Sequence, residues 1–148
     1  ICMKLGMGAG LLQQLQKETA EECSLNRASS SSIALSGGQS EAWIHALTHT
    51  DRMIIHIARA VVANPNVLVL HRPLMRFFSH EQRERVMTML KDYVKHRGVG
   101  FPAGDVQHRR PRTVFFSSCH ADEAKEADIV WHLQEGKVHL ESSKLPGK

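Results

Sequence analysis

The residue pattern predicts an α/β fold, on three observations. Two short β-prone apolar runs, residues 67–70 and 113–117, are separated by an amphipathic stretch of helical period at 79–97. A second helical stripe, Ile54, Ile57, Ala58 and Val61, precedes the first run at i, i+3, i+4, i+7 spacing and stops at Asn64-Pro65-Asn66. Strands that alternate with helices place helices on a parallel sheet. The chain has 148 residues, 42% hydrophobic and 23% charged, enough for one domain with a real core.

In chain order, residues 3–22 read as a first helix: turn formers are few after Gly10, and Leu11, Leu12 and Leu15 make an apolar face before Lys17, Glu18, Glu21 and Glu22. Residues 26–32 read as a Ser-rich loop leading to the turn Leu35-Ser36-Gly37-Gly38-Gln39, with Ser36 placed to cap a helix. Residues 41–50 separate this turn from the stripe that begins at Ile54, so the following helix is expected in two pieces. Val67-Leu68-Val69-Leu70, apolar throughout, reads as a parallel strand buried on both faces. In the helix after it, Val86, Met89, Leu90, Tyr93 and Val94 share one side, with Glu81, Arg83, Glu84 and Lys91 on the other. Residues 98–111 are a Gly/Pro/Arg connection, longer than usual and expected as a solvated surface insertion. After the second strand come a short helix at 122–125 and a hairpin, 128–133 and 138–140, around Glu135-Gly136-Lys137.

The formal charge is +4 and the isoelectric point near 9.2, with much of the excess in Arg83, Arg85, Lys91, Lys95, Arg97 and the run His108-Arg109-Arg110-Pro111-Arg112. Such charges read first as a solvated face and second as a polyanion site. Cys2, Cys23 and Cys119 form an odd, scattered set without a CxxC pair, which points to a reducing compartment. His45 and His49 lie four apart but lack a carboxylate or thiol at useful spacing, so no metal site is expected. No apolar run approaches the roughly 20 residues that span a bilayer. The chain begins at Ile1 without an initiator, which suggests a piece of a longer polypeptide.

The turn at 35–39 carries the functional reading. Two glycines with free backbone amides, a hydroxyl and a side-chain amide at a loop-to-helix junction wrap a phosphate, because orphan N–H groups and the helix dipole both favour negative charge. Followed by Ala58-Arg59-Ala60, Asn64-Pro65 and an apolar strand that runs on to Pro73, it resembles the signature motif of ATP-binding cassette (ABC) nucleotide-binding domains. The resemblance extends to about Val138. It implies a partial P-loop NTPase (RecA-like) core with part of the ABC helical subdomain: residues 1–51 belonging to the helical subdomain with its signature motif, 52–141 to the C-terminal part of the α/β core, and 142–148 to a tail. Relative to the family, residues 40–51 are an insertion.

The resemblance further implies that Ser36, Gly37 and Gly38 contact the γ-phosphate of ATP held mainly by a partner's half-site, with Gln39 beside them. The implied partners are a second nucleotide-binding domain and transmembrane domains outside this chain, on the cytoplasmic face of a membrane. Nucleic acid is not an expected partner. Where the family has Asp-Glu-Pro, this chain has His71-Arg72-Pro73, and no Gly-rich loop with Lys and Ser/Thr occurs anywhere in it. Imidazole is a poor ligand for Mg²⁺, which prefers hard oxygen, and a guanidinium accepts no proton. Magnesium therefore lacks its usual carboxylate, and hydrolysis at this chain's own strand end is expected to be impaired.

The family's switch histidine falls by spacing on Cys119, with His120 one residue late; both stand as candidates. The family loop that bears an Asp at the dimer seam corresponds to Met75-Arg76-Phe77-Phe78, expected as exposed aromatics at a repacked interface. A competing reading is a non-catalytic interaction module on the same fold, using residues 107–112 to bind a polyanion or a protein.

Overall fold

The computed structural model describes residues 1–28 and 42–142, a mixed α/β arrangement with two small sheets. The first residues turn back on themselves: Leu5 N–H donates to Ile1 O and Met7 N–H to Cys2 O, and Gly6 takes a left-handed φ of 78°. This turn drives Leu5 and Met7 into the core. Helix α1 (Ala9–Ala28) therefore starts at Ala9, later than the expected residue 3, and runs through Asn26 and Arg27, where a loop was expected.

Helix α2 (Ala42–Ala46) and helix α3 (His49–Val62) are the two pieces anticipated after the signature turn. Thr48 begins α3 with a reciprocal capping box: its hydroxyl accepts from Asp51 N–H at 3.1 Å while the Asp51 carboxylate accepts from Thr48 N–H at 3.3 Å. The α3 stripe Ile54, Ile57, Ala58 and Val61 is buried, as its spacing required. Asn64 then takes a φ of 50°, which ends the helix before Pro65.

Strand β1 (Val67–Leu70) pairs in parallel with β2 (Thr113–Phe116), in the register Val67 to Thr113 through Leu70 to Phe116. Helix α4 (His80–Lys95) makes the crossover and contributes Val86, Met87, Met89, Leu90 and Tyr93 to the same core as Leu5, Ile57 and Leu68. Burial of β1 is one-sided, against expectation. Leu68 is 6% exposed but Val69 is 72% exposed, because the core packs against the face of Leu68, Leu70, Val114 and Phe116 alone.

The end of α4 satisfies its last carbonyls in a Schellman pattern: Gly98 N–H donates to Tyr93 O at 2.9 Å and Arg97 N–H to Val94 O at 3.2 Å. The left-handed position falls on Arg97, with φ 53°, and its guanidinium donates across the loop to Gln107 O at 3.1 Å and Arg109 O at 2.7 Å. Gly98, with φ 123°, is fixed by close approach: a Cβ there would stand 2.8 Å from Asn64 Oδ1.

The connection from 98 to 111, containing a 3₁₀ turn at Ala103–His108, is stapled to the body rather than merely solvated. Arg109 donates to His96 O and Pro102 O and lies 4.9 Å over the Phe101 ring, and Arg112 donates to the side chains of Asn64 and Asn66. Helix α5 (Ala121–Ala124) and the hairpin β3 (Ile129–Gln134) and β4 (Lys137–Ser142) follow. Glu135 and Gly136 both have positive φ, 49° and 75°, which is what a two-residue turn between twisted strands demands.

Tyr93 ties these parts together. It is fully buried, and its hydroxyl donates to Pro65 O at the junction of α3 and β1. Burial raises the phenol above its ordinary value, partly offset by the Arg112 guanidinium. The folded state thus holds this proton more tightly than the unfolded chain. The resulting stability is complete below the unfolded value of 10.0 and is lost as pH rises from there through the folded value. Tyr93→Phe is expected to cost about 1 kcal/mol at neutral pH through the lost hydrogen bond, and to remove this alkaline loss. Denaturant titrations at neutral and alkaline pH check both halves, and since the chain has a single Tyr, tyrosinate absorbance reports the ionisation directly.

Candidate functional site

The parallel register of β1 and β2 brings the segment His71-Arg72 and the segment that begins at Ser117 to the same end of the sheet, at the carboxyl ends of the strands. Leu70 faces Phe116, so His71 and Arg72 leave β1 beside Ser117 as it leaves β2, and Ser117 N–H donates to Leu70 O at 3.1 Å. In parallel sheets this end is where ligands meet the loops.

Ser117 organises the junction. Its hydroxyl accepts from Arg72 N–H at 2.9 Å and lies 3.0 Å from His71 Nδ1. Ser117 Oγ thus bridges the Arg72 backbone and the His71 ring. Arg72 adopts a left-handed φ of 47°, uncommon for a side-chain-bearing residue, and the bond from its N–H to Ser117 is part of what holds it there. The pattern of apolar runs gave Ser117 only as the end of a strand; its proximity to His71 follows from the register, which no local motif encodes.

Ser118 takes the next step. Its oxygen accepts from His120 N–H at 3.0 Å and lies 3.0 Å from Glu123 Oε2 in α5. Cys119 is a free, exposed thiol, and His120 is exposed at the start of α5. One turn on, Lys125 donates to Asp122 at 2.7 Å, which holds the Asp122 carboxyl below and the Lys125 ammonium above their ordinary values.

His71, Arg72 and Ser117 are therefore joined at one end of the β1–β2 pair, and Cys119 and His120 follow in the segment that leaves β2 at the same end. Among the described residues, no group of three or more His, Cys, Asp and Glu is placed to hold a metal ion. Ser36, Gly37, Gly38 and Gln39 lie outside the described residues.

Two other expectations meet the structure here. Phe77 is not an exposed aromatic: it is 2% exposed, packed in the core, and its carbonyl accepts from Arg83 Nε at 3.0 Å. Phe78 alone, 90% exposed, presents a ring to solvent at that position. In the basic run, Arg109 and Arg112 are committed to carbonyl and amide oxygens of the protein itself, which leaves fewer cations for an external anion than the sequence count implied.

Two shallow depressions, of about 400 and 440 Å³, lie away from the strand ends. The first mixes Lys4 and Arg85 with Glu81, Glu84 and Asp92, and the second is an apolar groove on α1 between Leu12, Leu15 and Cys2. Among the described residues no helix is long and apolar enough to cross a membrane. No protein-family model matches the chain, and no curated protein is similar enough in sequence to match it.

Proposed function

We propose that this chain is the C-terminal portion of an ABC-type nucleotide-binding domain, and that it completes an ATP site on a partner rather than hydrolysing ATP at its own strand end. The observation that carries this reading is the order of motifs: Leu35-Ser36-Gly37-Gly38-Gln39, then α3, then β1 followed directly by His71-Arg72-Pro73. The parallel β1–β2 pair supports it, since both the His71-Arg72 segment and the segment bearing Cys119 and His120 follow the carboxyl ends of these two strands. The partner envisaged supplies the phosphate loop and most of the ATP contacts, and transmembrane domains outside this chain would hold the assembly at the cytoplasmic face of a membrane.

Phosphoryl transfer to water needs charge neutralisation and a residue that positions the nucleophile. At the strand end, Arg72 supplies positive charge without a proton acceptor, and His71 is engaged with Ser117. The arrangement suits holding phosphate oxygens and does not suit activating water.

The purified chain with ATP and Mg²⁺ is expected to show turnover no greater than background. His71→Asp combined with Arg72→Glu is expected to leave it there, because the acids act only on a phosphate already cradled by a loop that this sequence lacks. A turnover of order ~1 s⁻¹, abolished by Arg72→Ala, would overturn the reading.

A further inference from the structure

The β3–β4 hairpin presents a surface that the nucleotide reading leaves unused. Its register pairs Trp131 with Leu140 and Leu133 with Val138, so these four side chains share a face with Ile129, and all five are more than half exposed. Phe115 of β2 touches this face, its ring 5.5 Å from that of Trp131. The opposite face carries His132, Lys137, His139 and Glu141. Among the described residues β3 and β4 pair only with each other. A two-stranded ribbon is marginal by itself, and its open edges are templates for a further strand.

The outer edge of β4 is self-complementary. Lay a second copy antiparallel to it about a two-fold axis at His139, and Lys137 stands opposite the copy's Glu141, Val138 opposite its Leu140, and His139 opposite itself. Opposite charges directly across a strand pair stabilise it, and here each appears twice. The hydrogen-bond phase agrees. The two-residue turn makes Gln134 and Lys137 a bonded pair, bonded pairs recur at His139 and Glu141, and the backbone groups of Val138 and Leu140 therefore point to the open edge. Those are the residues that the axis sets against each other. The edge of β3 has no such counterpart, since His132 is its sole ionisable side chain. On β4, Glu141 Oε2 lies 3.0 Å from His132 Nε2, which leaves Oε1 for a second cation.

We propose that β4 pairs edge to edge with β4 of a second copy of this chain about an axis at His139, joining two hairpins into a four-stranded antiparallel sheet with one apolar face. The contact needs no nucleotide, so it stands apart from the proposed function.

Sedimentation equilibrium of the full chain without nucleotide is expected to show a monomer–dimer equilibrium. Lys137→Glu sets like charges opposite each other twice and is expected to weaken the dimer by about tenfold. Lys137→Glu combined with Glu141→Lys exchanges the two charges and is expected to restore it. Both side chains are on an exposed ribbon, so far-ultraviolet circular dichroism should not change. In a chain with Cys2, Cys23 and Cys119 replaced by Ser, His139→Cys is expected to form a disulfide-linked dimer on mild oxidation, because residues opposite each other in a non-bonded pair lie within disulfide reach. A monomer at every concentration overturns the proposal. So does a dimer indifferent to Lys137→Glu, a dimer that the charge exchange fails to rescue, or cross-linking through Leu140→Cys in place of His139→Cys.

Discussion

Ile57→Ala is expected to destabilise the fold by about 2–5 kcal/mol, the usual cost of truncating a buried branched side chain to Ala when the cavity only partly collapses. Ile57 is 2% exposed, and the cluster it belongs to joins several segments: Leu5 and Met7 before α1, Leu68 in β1, and Val86, Leu90 and Tyr93 in α4. Removing it leaves a void shared by helices on one side and the β1–β2 pair on the other. Against a typical domain stability of roughly 5–15 kcal/mol, that loss is a large fraction of the total. Val62→Ala, five residues on in the same helix but 64% exposed, is expected to change stability by no more than about 0.5 kcal/mol. Urea titrations of the two variants, reading the midpoint at constant slope, separate the cases.

The contrast between Ile57 and Val62 also marks what the sequence made legible. A 14-residue helix with apolar side chains at i, i+3, i+4 and i+7 has one way to bury them, and the four residues read from spacing are the four buried in α3. Helix α4 and the hairpin turn at Glu135-Gly136 were readable for the same reason, since each rests on a local rule. The covering of β1 was not. Four consecutive apolar residues look the same whether one face or both are packed, and only the positions of α3 and α4 decide that Val67 and Val69 stay outside.

Leu5 and Met7 enter the core through a turn stabilised by backbone bonds, without any periodicity to announce it. The basic run misled for a different reason. Counting charges says nothing about nearby carbonyls, and it is carbonyl and amide oxygens that hold Arg97, Arg109 and Arg112.

At the candidate site the altered residues His71 and Arg72 were visible as departures from a motif, and Cys119 and His120 as near misses to another. That both segments leave the same end of the sheet follows from the parallel pairing of the two strands. Ser117, which bonds to both His71 and Arg72, had no signature, because its role depends on a register 46 positions away in the chain. The signature turn itself rests on sequence, since it falls outside the described residues.

The most direct measurement of the proposed role is therefore nucleotide-dependent association. The chain is mixed with an ABC domain that carries an intact phosphate loop, and their affinity is measured by sedimentation with and without ATP under conditions that suppress hydrolysis. In the proposed arrangement, Ser36, Gly37 and Gly38 approach the γ-phosphate held by the partner. Ser36→Arg adds bulk where the backbone must come close, and Gly37→Asp sets negative charge against the phosphate. Losing charge-assisted hydrogen bonds worth about 1.5–3 kcal/mol corresponds to a loss of roughly ten- to a hundredfold in affinity. The account predicts that ATP promotes association of the unaltered chain, that Ser36→Arg and Gly37→Asp both abolish that promotion, and that Cys119→Ala alters it far less. Association unaffected by ATP, or promoted equally in all three variants, would contradict it.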